Sequence, residues 1–148
     1  LKQEANSPTV VGINCIYVPA SNIKRSADWY VNNLHLTLLN EVDESSKQAQ
    51  LQINREQQLF LIKTKEKLNL NYQEVDGNRQ CFLTLEVTNI EELHKQLTER
   101  GVVVEELQDQ GDCGINFYLE DPDGNLIDIW GGWPKPSLER DLVLEKNR

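Results

Sequence analysis

The sequence predicts an α+β fold in which one β-α-β-β-β unit is used twice. The first observation behind it is the order of periodicities. An alternating apolar run, a run with apolar residues at three- and four-residue spacing, and three more alternating runs are followed by the same series again. The second is a shared register. Asn22-Ile23 and Asn89-Ile90 each open a helical pattern, 67 positions apart, and a repeat of this size used twice is a pair of supersecondary units rather than a solenoid. The third is the stretch over residues 117–130, where two alternating runs flank Asp121-Pro122-Asp123-Gly124-Asn125. Pro122 presets φ for a turn, and Gly124 or Asn125 can take the left-handed conformation that closes it. In the resulting hairpin Phe117, Leu119, Ile127 and Ile129 point one way. Tyr118, Glu120, Asp128 and Trp130 point the other, with Tyr118 opposite Asp128 and Glu120 opposite Leu126.

In chain order, residues 10–20 read as the first strand, with Val11, Ile13, Ile16, Val18 and Ala20 among polar neighbours and Pro19 marking its end. Ser21 or Asn22 then caps a helix whose stripe is Ile23, Ala27, Tyr30, Val31 and Leu34, with Asn33 as its stop. Residues 36–42, 48–54 and 59–63 follow as strands, separated by Asp43-Glu44-Ser45-Ser46 and Arg55-Glu56-Gln57. A polar connection with Asp76-Gly77 as its turn leads to the second copy. Its strand is 81–87, its helix runs from the Asn89 cap through Ile90, Leu93 and Leu97 to Arg100 with Gly101 as the C′ residue, and its last strands are 102–106, 114–120 and 126–130. The expected organisation is a polar lead-in 1–9, a single domain 10–133 and a C-terminal extension 134–148. Within the domain, module one spans 10–63, a linker 64–79 and module two 80–133. Leu142, Val143 and Leu144 in the extension suit either a short strand or helical turn docking on the body or on a second subunit, or a solvated tail.

Composition narrows the function classes. A chain of 148 residues with 26% charged and 39% hydrophobic residues is globular and long enough to bury a core. A formal net charge of −9 argues against nucleic acid or an anionic membrane as partner, since phosphate binding needs a basic face. No apolar run approaches the ~20 residues of a membrane span. Cys15, Cys81 and Cys113 form no C-x-x-C pair and leave one over if two bridge, so a reduced, cytoplasmic location is expected.

The twofold β-α-β-β-β order, the helix opening Asn22-Ile23-Lys24-Arg25-Ser26-Ala27-Asp28-Trp29-Tyr30 and the segment Asp121-Pro122-Asp123-Gly124-Asn125-Leu126-Ile127-Asp128 resemble the vicinal oxygen chelate superfamily. That superfamily contains glyoxalases, extradiol dioxygenases and fosfomycin- and bleomycin-resistance proteins, and the resemblance covers nearly the whole chain. It implies an open, cupped mixed sheet with helices on the outer face, a small-molecule site in the cup and a homodimer. It also implies metal ligands on the first, fourth, fifth and eighth strands. Those positions here are Cys15, Leu61 (or Phe60 if the register slips), Phe82 and Asp128. Leu and Phe offer no lone pair, so no metal and no other cofactor is expected.

Other chemistry is thinly represented. His94 lies among Glu91, Glu92, Lys95 and Glu99 and reads as a solvated surface residue, and His35 as a C-terminal helix cap. Asp121-Pro122-Asp123-Gly124 lacks the Gly and Glu spacing of a calcium loop. Cys15 reads as a small wall residue, because no cation near it in sequence would lower its pKa, and Cys81 and Cys113 as structural. Strand parity instead outlines a cavity walled by Cys15, Tyr17, Phe82, Thr84, Glu86, Asn116, Tyr118, Glu120, Asp128 and Trp130. Glu86 and Asp128 are the candidates for acid or base work if burial raises a pKa. The same parity places Gln50 and Gln52 toward the helices and Leu51 and Ile53 inward. Three readings compete: a metal-independent pocket for an aromatic or amphiphilic small molecule, a glyoxalase- or dioxygenase-type enzyme with an altered metal site, and a dimeric interaction module without ligand.

Overall fold

The computed structural model describes residues 7–133. Its elements run β1 (Cys15–Ala20), α1 (Ile23–Leu34), β2 (Thr37–Leu38), β3 (Gln48–Gln52), β4 (Gln58–Lys63), β5 (Tyr72–Gln73), β6 (Arg79–Gln80), β7 (Leu83–Glu86), α2 (Ile90–Glu99), β8 (Gln108–Asp109), β9 (Ile115–Glu120) and β10 (Leu126–Gly131), with a 3-10 turn over Gly111–Cys113 between β8 and β9. The two four-stranded sheets are open and mixed, in the orders β1-β4-β3-β2 and β7-β10-β9-β8. In each, the strand before the helix pairs in parallel with the last strand of the module, and the remaining pairs are antiparallel. The α+β architecture of two β-α-β-β-β modules is therefore present. Within the linker, β5 and β6 form a small hairpin turning at Asp76-Gly77. No helix among the described residues is long and apolar enough to cross a membrane.

Several elements are shorter than their periodicity suggests, each for a pairing reason. The first strand begins at Cys15 because its neighbour β4 begins at Gln58, the partner of Cys15; Val10, Val11 and Ile13 lie outside any ladder and are exposed. β2 stops at Leu38 because Asn40 Oδ1 takes the Gln50 N–H at 2.7 Å, in place of a backbone acceptor. Residues 102–106 contribute a single bridge, Val104 to Leu119, and the edge strand forms later, at Gln108–Asp109. Asn22 caps α1 as expected, its Oδ1 accepting from Arg25 N at 2.9 Å. The helix ends not at Asn33, which is buried within it, but at Leu34, where His35 turns left-handed with φ 60°. Asn89 occupies the cap position of α2 without a side-chain hydrogen bond and is itself left-handed. Glu91 and Glu92 in the first turn still favour the helix dipole.

One hydrophobic core joins both modules: Val18, Tyr30, Leu51, Leu59 and Leu61 from the first module with Leu97, Phe117, Ile127 and Ile129 from the second. Its register corrects the parity reading. Tyr17 pairs with Phe60 and Phe60 with Gln50 in the first sheet, as Thr84 pairs with Asp128 and Asp128 with Tyr118 in the second. The offset between modules is thus 67 for the first strand and 68 for the hairpins, one residue having entered after the helix. Because side chains alternate, that residue reverses the assignment of β3 and β4. Leu51, Leu59 and Leu61 face the core, and Gln50, Gln52 and Phe60 face the other way.

The Asp121–Asn125 turn clasps the modules together. Asp121 is buried and accepts from Tyr30 Oη at 2.6 Å, from the backbone N–H groups of Asp123 and Asn125 at 2.9 Å each, and from Asn125 Nδ2 at 2.9 Å. Asp123 sits at the N-terminus of α1 and accepts from both the backbone N–H and the hydroxyl of Ser21, where the helix dipole favours an anion. Asn125 accepts from Leu70 N at 2.9 Å, and Asn71 Nδ2 donates to the Gly124 carbonyl at 2.8 Å, which ties the linker to the same turn. In module one the counterpart turn closes on itself, Asn54 Oδ1 accepting from Glu56 N and Gln57 N. A cleft of about 500 Å³ lies beside it, lined among others by Leu34, His35, Ile53, Val87, Asn89 and Leu93.

Candidate functional site

The expected cavity residues divide between the two sheets. On the second, the face turned from the core carries Thr84, Asp128 and Tyr118 in one row and Glu86, Trp130 and Asn116 in the next. Directly opposite residues share a face, so the strand register brings six of the expected wall residues together: Thr84, Asn116, Tyr118, Asp128 and Trp130, with Glu86 at the exposed edge. Asp128 is their centre. It is buried; Oδ1 accepts from Asn116 Nδ2 at 2.9 Å and Oδ2 from Thr84 Oγ1 at 3.3 Å. Asn116 is held in turn by Gln110 Nε2, which donates to its Oδ1 at 2.8 Å. Burial raises the Asp128 pKa above the ordinary carboxylate range, while the Asn116 and Thr84 hydrogen bonds pull it back. Burial, then the neighbouring Asp128 charge, raises the Tyr118 phenol.

Trp130 is fixed by its indole N–H, which donates to the Cys113 carbonyl at 2.6 Å. Gly114 makes room for this. A Cβ there would stand 2.5 Å from the Gly131 carbonyl oxygen and 3.2 Å from Trp130 Nε1, and its φ of +101° is one that side chains rarely adopt.

The remaining candidates are placed differently. Cys15 and Tyr17 belong to the first sheet, where Tyr17 is 63% exposed and stacks edge-on against Phe60 at 5.8 Å. A hydrogen bond with Cys15 is the main cause of a raised Tyr17 pKa. Phe82 precedes β7 and packs against the core rather than walling the site. Glu86 is exposed on the edge strand opposite Trp130, and Glu120 pairs with Arg79 at the far end of β9. No ladder joins the two sheets among the described residues. His94 is not a solvated surface residue: its ring lies edge-on to Phe117 at 4.9 Å, with Nε2 2.9 Å from the Glu105 carbonyl oxygen. The first-sheet wall around Phe60 and Gln50 escaped the sequence reading because a uniform repeat offset hides a one-residue insertion. The alternation of residues 48–52 and 58–62 was the signal that could have found it.

The donor chemistry does not fit the family's metal. Leu61 is fully buried in the core, Phe60 and Phe82 have no lone pair, and no group of three His, Cys, Asp or Glu side chains among the described residues could hold a metal ion. Protein purified without chelator is therefore expected to carry no stoichiometric Zn, Ni, Mn or Fe by elemental analysis, with a melting temperature unchanged by chelator. One metal per chain, lost with Asp128→Asn, would overturn this.

The family model for the Glyoxalase/Bleomycin resistance protein/Dioxygenase superfamily matches residues 12–129. No curated protein sequence matches the chain. Among solved structures, the antibiotic-binding protein TnmS3 from Streptomyces sp. CB03234 superposes with a TM-score of 0.66 at 20% identity, covering 85% of this chain and 99% of that one. A possible glyoxalase from Bacillus cereus gives 0.62 at 19% identity over 82% and 99%. Lactoylglutathione lyase from Agrobacterium tumefaciens gives 0.63 at 14% identity over 88% and 100%. At these identities the likeness is one of fold. With the family model spanning both modules, the chain belongs to the glyoxalase/bleomycin resistance protein/dioxygenase superfamily.

Proposed function

We propose that the protein binds an aromatic or amphiphilic small molecule on the face around Asp128, without a metal, as a homodimer. The observation that carries this reading is the Asp128 network. A buried carboxylate held by Asn116 and Thr84 still has lone pairs to offer a ligand, and Tyr118 and Trp130 beside it supply apolar, stackable surface. That the structural neighbour TnmS3 is an antibiotic-binding protein agrees with it. A second copy would complete the site. Among the described residues β1 and β7 are both sheet edges, and the exposed Val10, Val11 and Ile13 lead into β1. An isologous pair would bring the first sheet of one copy over the second sheet of the other. The extension over residues 134–148, an expected docking segment, lies outside the described residues.

The test uses Trp130 as reporter. Aromatic compounds that enter should change its fluorescence, and Trp130→Phe should remove that signal at a stability cost under ~1.5 kcal/mol. Asp128→Asn should bind within about tenfold, since a neutral hydrogen bond is worth about 1 kcal/mol. The amide should also stabilise the protein at neutral pH. With a raised folded-state pKa, Asp128 holds a proton that the unfolded chain has released, so its contribution falls as pH rises through the window above the ordinary carboxylate value. The melting-temperature advantage of Asp128→Asn should accordingly vanish in acid. Collapse of an activity in that variant would favour a catalytic Asp128, and a broad compound screen without a single binder would refute the reading.

A further inference from the structure

The first sheet presents a second wall of a different character. Tyr17, Phe60 and Gln50 form its central row, with Gln58 and Gln52 paired on one side and Gln48 opposite Ile62 on the other. Direct pairing places all of them on the face turned from the core, and the burial pattern agrees: Ala49, Leu51, Leu59 and Leu61 between them are buried. The four glutamines are half-buried, and their side-chain amides make no hydrogen bond to another group among the described residues. Each amide offers two donors and an acceptor with two lone pairs.

The rest of this face is Cys15, Pro19 and Thr37 at its margins. On a chain of net charge −9, the four strands of this sheet thus turn outward a surface without a single charged side chain. An amide array of this kind matches neutral groups that both donate and accept, whereas a full charge placed against it meets no counter-charge to offset its lost hydration. The exposed Tyr17 ring, braced edge-on by Phe60, gives a planar group a surface to stack on.

We propose that Gln48, Gln50, Gln52 and Gln58, with Tyr17 and Phe60, read the uncharged edge of the ligand, and that the ligand is a planar aromatic bearing a carboxamide or lactam. This rests on the small-molecule reading above and assigns the chemical class of the molecule. The aromatic plane lies on Tyr17, its amide edge exchanges hydrogen bonds with Gln50 and its neighbours, and the Asp128 wall meets the opposite side.

Three isosteric probes test it by calorimetry: naphthalene carboxamide, the matching naphthoate and naphthylmethylamine, the last cationic. The carboxamide is expected to bind about tenfold more tightly than either charged analogue, a margin of one to two neutral hydrogen bonds. Gln50→Leu combined with Gln52→Leu should lower carboxamide affinity by about tenfold and leave plain naphthalene unaffected. Gln50→Glu, which keeps the shape, should shift preference toward the amine. Equal carboxamide binding by wild type and the double variant, or wild-type preference for either charged probe, would overturn the assignment while leaving the small-molecule reading intact. If none of the probes nor naphthalene binds and Trp130 stays silent, the small-molecule reading itself fails and takes the assignment with it.

Discussion

Asp121→Ala is expected to destabilise the protein by about 4 kcal/mol, which for a chain of this size lowers the melting temperature by roughly 10 °C. Asp121 lies where Tyr30 of α1 meets the second hairpin, and its two oxygens receive four donors. Removing them leaves the buried Tyr30 hydroxyl and the turn's own N–H groups without acceptors. Tyr30→Phe leaves the carboxylate three of its four donors and should cost about 1–2 kcal/mol. The double variant should lose less than the sum, because both changes remove one shared contact. Burial also raises the Asp121 pKa, an effect opposed first by its Tyr30 hydrogen bond. The folded chain therefore takes up a proton here before the unfolded one does. The contribution of Asp121 to stability falls as pH rises through that window, so mild acid does not weaken the protein through this residue. Thermal melts across pH check both statements, and an Asp121→Ala melting temperature within a degree or two of wild type would show that the turn is not the clasp.

Mixing two variants that each fail to bind is expected to restore binding if the site is shared between subunits. Gln50→Arg places a charge on the neutral wall of the first sheet, and Thr84→Arg fills the face beside Asp128 on the second. Each alone should bind naphthalene carboxamide roughly a hundredfold more weakly. After the two are unfolded together and refolded, random pairing makes about half the dimers mixed, and each mixed dimer holds one site whose walls are both native. About a quarter of the sites should recover full affinity. Sedimentation reports the dimer independently. No recovery from a dimeric mixture would mean that each chain builds its own site, and a monomer with wild-type affinity would remove the second copy from the proposal.

The hairpin of the second module was legible almost residue by residue. The run from Phe117 to Trp130 has clear alternation, one strong turn and a short loop, and local rules then leave one register, so Tyr118 and Asp128 fall opposite each other as expected. The first helix was equally plain, because Asn22 caps it and the stripe of Ile23, Ala27 and Tyr30 fits only one face. The first module's hairpin was misread because its parity was borrowed from the second rather than taken from its own alternation of glutamine and aliphatic residues.

What the sequence by itself determined is local or periodic: the order of strands and helices, the hairpin turn, the family motif, and the poverty of metal donors at the mapped positions. Each follows from residues close in the chain or from their types alone. What only the tertiary structure decided depends on which distant strand lies beside which. Phe60 rather than Leu61 shares the position of Asp128, since a ladder partner and not a repeat offset sets the face of a side chain. Asp121 holds Tyr30 in the second half of α1 and Asp123 holds Ser21 just ahead of that helix, 91 and 102 positions away in the sequence, because packing the two modules on one core brings a helix start and a buried phenol to the hairpin's end. Hydrogen bonds of that reach leave no periodic trace in a sequence, and it is they that fix how the two halves meet.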